Sequence, residues 1–258
     1  MLARMLLRFR AIISLLLVAG IWQLVWALAV VPEKYFPSIG TVVAAGWSML
    51  ASGELLLGDA VTFSRALIGL AGAAIIGVIL AVISDLSPFF RKGFRPISDL
   101  AQPIPPAALV PMAVFALGLG WKLYAFVIIL VTVWPTYLNG LAALQSVSEV
   151  QLRTGQMLGF GRWQQLWHIK LPAAMPEIFA GVRYAATISL IAVIVSEMLA
   201  GRDGVGFMIF KKAFALRTPE VFALMFVIAL NGVVLNGLVG GLRWLVSGWH
   251  MRMMERAP

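Results

Sequence analysis

The chain has 258 residues, 61% of them hydrophobic and only 12% charged, with a formal net charge of +9. A soluble globular domain carries about 25% charged residues, so this composition excludes an ordinary soluble domain and points to an all-α, polytopic membrane protein. There is no cysteine, which excludes disulfides, thiol chemistry and thiolate metal sites. In such a chain the basic excess reads as cytoplasmic loops rather than as a nucleic-acid surface.

A helical span takes roughly 20 largely apolar residues. The first candidate, Ala11–Val31, follows Arg4, Arg8 and Arg10. Ala27-Leu28-Ala29 resembles a leader-cleavage site, but the apolar run passes beyond it without a polar stop. A retained first helix is therefore expected. The second span, Ala66–Ser84, carries Gly69, Ala73, Gly77 and Ala81 at every fourth position. In lipid such a stripe permits close helix approach, expected here within one subunit. The third, Leu100–Trp121, opens on QPIPPAALVP. Its prolines remove backbone donors, and irregular backbone is tolerated at membrane depth only when buried in protein or lining a cavity. Gln102, Pro105, Pro106 and Pro111 are thus candidates for a translocation path; the alternative is a loop and re-entrant segment at the cytoplasmic interface. The fourth span is Leu123–Val147, with Asn139 inside it.

Residues 149–181, EVQLRTGQMLGFGRWQQLWHIKLPAAMPEIFAG, form a polar, basic insert between apolar runs. Leu152, Gln156, Gly159, Trp163 and Trp167 recur every three to four residues, which predicts an amphipathic helix interrupted at Gly159-Phe160-Gly161 and ended by Pro172 and Pro176. Such a segment either lies on lipid headgroups or fills a groove in a partner protein. The fifth span, about Tyr184–Ala200, holds the one charge within an apolar run, Glu197. An intramembrane carboxylate is a functional candidate, although near the outer end of a span it can stay hydrated at little cost. Ser189 and Asn139 join it as candidate path residues; Asn139, Asn231 and Asn236 read first as interhelical hydrogen-bond partners. The sixth span is Val221–Leu242, with Gly232, Gly237, Gly240 and Gly241.

Six spans with both termini inside put 13 of the 20 basic residues on the cytoplasmic face, as the positive-inside bias requires. The insert is then cytoplasmic. No lysine is followed by Ser or Thr, so there is no Walker A loop. No Ser/His/Asp or paired-carboxylate constellation stands out, and His168 and His250 are isolated, so neither catalysis nor a metal site is expected. Almost no ionisable residues lie at mid-membrane, as an ion-coupled carrier would need; energy for transport is expected from a partner chain. The rival is a stand-alone carrier or channel whose insert lies on the membrane.

The spacing Gly159…Ile169-Lys170-Leu171-Pro172 resembles the coupling-loop motif of ABC-importer permeases. More narrowly, FPSIGTVV (36–43), SRALIGL (64–70), PIPPAALVP (103–111), WPTYLNGLAALQSV (134–147), LPAAMPEIFAGVR (171–183), SEMLAG (196–201) and DGVGFMI (203–209) resemble the permeases of the nitrate/sulfonate/taurine importer family. The resemblance implies an inner-membrane permease homodimer and a dimer of cytoplasmic ATPase subunits that binds ATP and Mg. It also implies a periplasmic or lipid-anchored binding protein, and a small anion as solute. The coupling helix falls on residues 152–167, with Arg153, Gly155, Leu158, Gly159, Gly161, Trp163, Leu166, Trp167, Leu171 and Pro172 as the docking set. The chain departs from the family where Arg153-Thr154-Gly155 replace Glu-Ala-Ala, and where Trp121-Lys122 follow GLG in place of an acidic residue. Gly155 is expected to weaken its helix by about 1 kcal/mol relative to Ala.

Overall fold

The structure, a computed structural model, describes residues 2–254. Arg256 lies outside the described residues, as do the side chains of Arg4, Arg8, His250 and Arg252. All regular elements among the described residues are helical: α1 (Leu2–Ala27), α2 (Ile39–Ala51), α3 (Glu54–Leu86), α4 (Pro88–Ala101), α5 (Pro106–Leu117), α6 (Trp121–Gln145), α7 (Glu149–Met157), α8 (Arg162–Gln165), α9 (Leu171–Ala200), α10 (Val205–Phe214) and α11 (Thr218–Met254). Four stretches are long and apolar enough to cross a bilayer: Glu54–Leu86, Trp121–Gln145, Arg162–Ala200 and Thr218–Val246. Helices α4 and α5, bent by 100° at the intervening turn, make a fifth if taken together. In α1 the described apolar part is Ile12–Ala27.

Helices α3 and α6 form the centre. They run parallel in constant register, with Gly69 against Ile128, Gly77 against Thr136 and Ala81 against Gly140. A Cβ on Gly77 would stand 2.7 Å from Thr136 Cβ and 3.1 Å from the Tyr137 nitrogen. The predicted small-residue stripe therefore packs helices within the chain. The glycines of α11 behave differently: Gly237, Gly240 and Gly241 have open space where a side chain would stand.

Helix α9 runs antiparallel to α3 and α6 and closes the bundle. Three apolar clusters lie along its length. Tyr137, Leu144, Leu166 and Ile178 form one at the end that carries α7 and α8, called here the insert end. Leu70, Val110, Val127 and Val193 form the middle. Val42, Met49, Val205 and Leu224 form one at the far end, where α2 packs on α11 and α10 packs on α9 and α11. Trp22 ties α1 to this cluster through Phe36, Phe222 and Phe226, with ring centroids 4.9, 5.1 and 6.1 Å away. The indole N–H donates to the Pro37 carbonyl at 2.9 Å. Elsewhere the described face of α1, including Leu15, Leu16 and Leu24, is exposed.

Two expectations change. The third span is not one helix over 100–121. Residues 102–105 form a proline turn, α5 is only 12 residues long, and Gly118 and Gly120 take φ of 71° and 141° before α6 begins. A proline lacks the N–H and fixes φ, so Pro103, Pro105 and Pro106 cannot carry a helix through the turn. Second, Pro172 and Pro176 do not end the insert helix; both lie inside α9. A π-turn, Leu166–Lys170, precedes them, with the Leu171 N–H donating to the Leu166 carbonyl. Pro172 cannot donate to the His168 carbonyl and its ring crowds that oxygen, so the chain takes one wide turn and continues.

Candidate functional site

At the insert end, α7 stops in a defined way. Gly159 has φ 79°, a left-handed conformation that favours glycine. Its N–H donates to the Gln156 carbonyl at 2.9 Å, and the Phe160 N–H donates to the Gly155 carbonyl at 2.9 Å. That pair of bonds is a Schellman C-cap. On the other side of the turn, Gly161 caps α8 and its N–H donates to Gln164 Oε1 at 3.0 Å; Gln165 Nε2 donates to the Phe160 carbonyl at 3.1 Å. The turn is a built corner, not a slack loop.

The corner presents apolar side chains outward. Met157 is 87% exposed, and Leu158 and the edge-to-face pair Trp163 and Trp167, 5.9 Å apart, are also more than half exposed. It is also anchored inward. Leu166, placed by sequence among the docking residues, is only 1% exposed and sits in the insert-end core. Leu171 packs beside it and Pro172 is half-buried, so these three hold the corner rather than face outward. Lys170 Nζ bonds both Asp85 oxygens, at 2.9 and 2.7 Å, tying the π-turn to the end of α3.

Gly155 serves packing. A Cβ there would overlap Ile169 Cδ1, so the expected loss of helix propensity is offset by close contact between α7 and the π-turn. Arg153, which stands where the family carries Glu, is exposed and pairs with Glu149 at 3.0 Å. An exposed i,i+4 pair of this kind contributes about 0.3–0.5 kcal/mol.

The candidate path residues differ in exposure within the chain. Gln102, Pro105, Pro111 and Asn139 are exposed and Pro106 is half-buried, but Ser189 and Glu197 have no exposure at all. Ser189 Oγ donates to its own helix, at the Ala186 carbonyl. Asn139 also bonds its own helix, at the Pro135 carbonyl, whereas Asn231 reaches Asp59 and Asn236 accepts from Arg183 Nε at 3.3 Å.

Glu197 is buried within the chain, not exposed at the end of its helix. Arg65 Nη1 donates to Oε1 at 2.7 Å, while Thr62 Oγ1 and the Gly206 N–H donate to Oε2 at 2.8 and 3.0 Å. Arg65 also bonds Asp203 at 2.6 Å and lies 3.8 Å over the Tyr124 ring. One buried carboxylate thus joins α3, α9 and α10. Gly204, at φ 92°, leaves no room for a Cβ beside it. A second polar clasp lies alongside: Lys212 of α10 pairs with Glu54 of α3 and Glu220 of α11. Burial works against the Lys212 ammonium, but the two carboxylates outweigh it and hold its pKa above the usual lysine range.

Sequence reasoning missed Arg65, Asp85 and Lys170 as paired groups. The available signal was a single charge at the end of each apolar run, cation facing carboxylate. Spacing within one segment cannot reveal such pairs, because the partners are 132 and 85 positions apart. Among the described residues no group of three or more His, Cys, Asp or Glu is placed to hold a metal. A groove of about 470 Å³ between α3, α9 and α11 is lined wholly by apolar residues such as Leu70, Ile75, Phe179 and Leu238. It offers a charged solute nothing.

Residues 73–247 match the family described as binding-protein-dependent transport system inner membrane component. The chain belongs to that family. Its relatives include the taurine transport system permease protein TauC of Escherichia coli (strain K12), 32% identical over 74% of this chain and 70% of that protein. Another is the riboflavin transport system permease protein RibX of Chloroflexus aurantiacus, 30% identical over 92% of this chain and 89% of that one. Among solved structures, an inward-facing form of the MetNI methionine ABC transporter shares the fold, with a TM-score of 0.58 at 15% identity, over 81% of this chain and 97% of that one. The protein is therefore the inner-membrane permease subunit of an ABC importer and not itself an enzyme; the family implies a separate ATPase and a binding protein.

Proposed function

We propose that this permease carries a small anion, a sulfonate, taurine or nitrate-like solute, and that the α7–α8 corner docks into a cleft of the ATPase. The observation that carries the docking reading is the corner itself. A Schellman cap and a π-turn hold Met157, Leu158, Trp163 and Trp167 outward and exposed, while Leu166 and the Lys170–Asp85 pair fasten the same segment to α3. Amphipathic helices seated in grooves use this arrangement of apolar anchors on a rigid element. Closure of an ATPase dimer on bound ATP and Mg would push on the corner, and the Lys170–Asp85 pair passes that displacement to the bundle.

On this reading the insert end and both termini are cytoplasmic, the far end receives the binding protein, and two copies of the chain form the path. The exposed apolar faces of α1, α5 and α11 are covered by lipid or by the second copy. Support for the anion comes from the TauC relationship and from the family motifs. The riboflavin relative shows that the same fold serves a larger solute, so the uptake panel includes taurine, nitrate and riboflavin.

Two measurements test the reading. The chain, co-expressed with its genomic neighbours, is expected to co-purify with an ATPase and to move taurine or nitrate in proteoliposomes only when ATP is supplied. Transport without ATP by the chain alone shows a stand-alone carrier instead. Gly159→Glu, which puts a charge and a strained left-handed residue at the corner, is expected to abolish uptake while membrane insertion persists; unchanged uptake places docking elsewhere.

A further inference from the structure

Helix α4 carries three distinct faces. Phe90, Phe94 and Ala101 pack inward, Phe94 lying 6.1 Å from the Trp134 ring and 5.3 Å from that of Tyr137. Phe89, Ile97 and Leu100 are 91%, 53% and 77% exposed and apolar. The third face holds Arg91, Lys92, Arg95, Asp99 and, at the C-cap, Gln102. Steps of three to four residues set these in one stripe, which ends at the proline turn.

The stripe does not stay at the membrane surface. Trp134 and Tyr137, against which Phe94 packs, stand eleven and eight residues from the end of α6 at Gln145. At 1.5 Å per residue that is a depth of about 12–17 Å. Ala101 packs in the same cluster as Phe94, with Ala73 and Val133. Helix α4 therefore climbs back into the bundle, carrying Arg95 and Asp99 with side chains 68% and 57% exposed within the chain. A charge facing hydrocarbon at mid-depth costs about 2.5–3.5 kcal/mol even on the mildest scale. The apolar face of the same helix already supplies a lipid-compatible side. A charged face that looks onto water avoids that cost.

We propose that the α4 stripe lines the insert-end half of the translocation path as an electropositive vestibule for anionic solutes. Three cations outnumber one carboxylate; Asp99 lies 4.0 Å from Arg95, so the face is net positive, with the excess greatest at Arg91 and Lys92. In a narrow, low-dielectric passage such a lining raises the local concentration of an anion about 10- to 1,000-fold. Gln102 continues the polar surface to the proline turn, where irregular backbone needs a water-filled neighbour. The proposal rests on the permease reading and specifies which side chains face the solute.

The absence of native cysteine makes the test direct. Single variants Lys92→Cys, Asp99→Cys and Gln102→Cys, with Phe89→Cys and Leu100→Cys as controls, are assembled with the ATPase in proteoliposomes. They are treated with an anionic (ethylsulfonate) or a cationic (trimethylammonium) methanethiosulfonate. The stripe positions are expected to react with both. After correction for free-thiol rates, Asp99→Cys and Gln102→Cys should favour the anionic reagent about 10-fold or more, and the controls should resist both. Adding Arg95→Gln should shrink that preference several-fold, while Arg95→Lys should keep it. Unreactive stripe positions, equally reactive controls, or a preference for the cationic reagent that grows with anionic lipid would overturn the proposal. That last outcome would place the stripe on headgroups. ATPase co-purification and ATP-driven uptake are measured on the same preparations. A coupled transporter with an unreactive stripe sinks only the vestibule, and loss of ATPase association sinks the permease reading itself.

Discussion

Glu197 shows how much a single residue's surroundings matter. Its carboxylate has no exposure and accepts from Arg65, Thr62 and the Gly206 N–H. Breaking a buried pair by removing one partner costs about 3–5 kcal/mol, because the other charge is left uncompensated. Glu197→Gln is therefore expected to lower the thermal midpoint of the detergent-solubilised protein markedly. The double variant Arg65→Met/Glu197→Met should recover much of the loss; an unshifted midpoint in Glu197→Gln would show that the pair carries little. Gly155 argues in the other direction. The only atom crowding a Cβ there is the far end of the Ile169 side chain, which can swing away, so Gly155→Ala should change stability by under about 1 kcal/mol.

Elements add constraints that no residue carries alone. The seam between α3 and α6 is set by backbone approach at Gly69 and Gly77, where the neighbours at 77 include the Tyr137 backbone. Backbone cannot move aside, so Gly77→Val is expected to cost about 1–3 kcal/mol and to reduce the yield of folded protein on size exclusion. The π-turn before Pro172 fixes the rotation of α8 against α9. Pro172→Ala permits an ordinary α-turn, which would rotate Trp163 and Trp167 by one helical step, about 100°. Uptake should fall while the thermal midpoint holds; a fall in both would mean that Pro172 acts through stability. Helix α10 is clasped by Lys212. A lysine whose folded pKa is raised stabilises fully below its unfolded value of about 10.4 and loses that contribution as pH rises through the folded value. The thermal midpoint should therefore drop more steeply above about pH 10.4 than it does for Lys212→Met.

Across the whole molecule, α9 is fastened to α3 at two places, through Lys170 and Asp85 at the insert end and through Glu197 and Arg65 at the far end. On the proposed docking, a push on the corner would reach the far-end segment 201–206 through one helix held at both ends. Asp85→Asn is expected to lower solute moved per ATP hydrolysed by several-fold while insertion and ATPase association persist. An unchanged ratio would show that the push travels by another route.

Hydrophobic runs alone marked the helices α3, α6, α9 and α11, since few other ways exist to place 20 apolar residues. The glycine break at 159 and the tryptophan spacing likewise marked the corner, because both are local features of a single segment. Helices α2 and α10 escaped notice, being too short for a span signal, and α4 was hidden by its charges. The length of α9 was obscured because Pro172 and Pro176 read as stops. Sequence by itself therefore determined the class of protein, the places of the four long helices among its six expected spans, and the segment that faces outward. Tertiary structure alone decided which charges are paired, that Leu166 and Glu197 point inward, and that α4 turns its basic face to one side. The physical reason is range. Hydropathy, caps and turns act within a few residues, whereas ion pairs, glycine contacts and helix faces join positions that only the fold brings together.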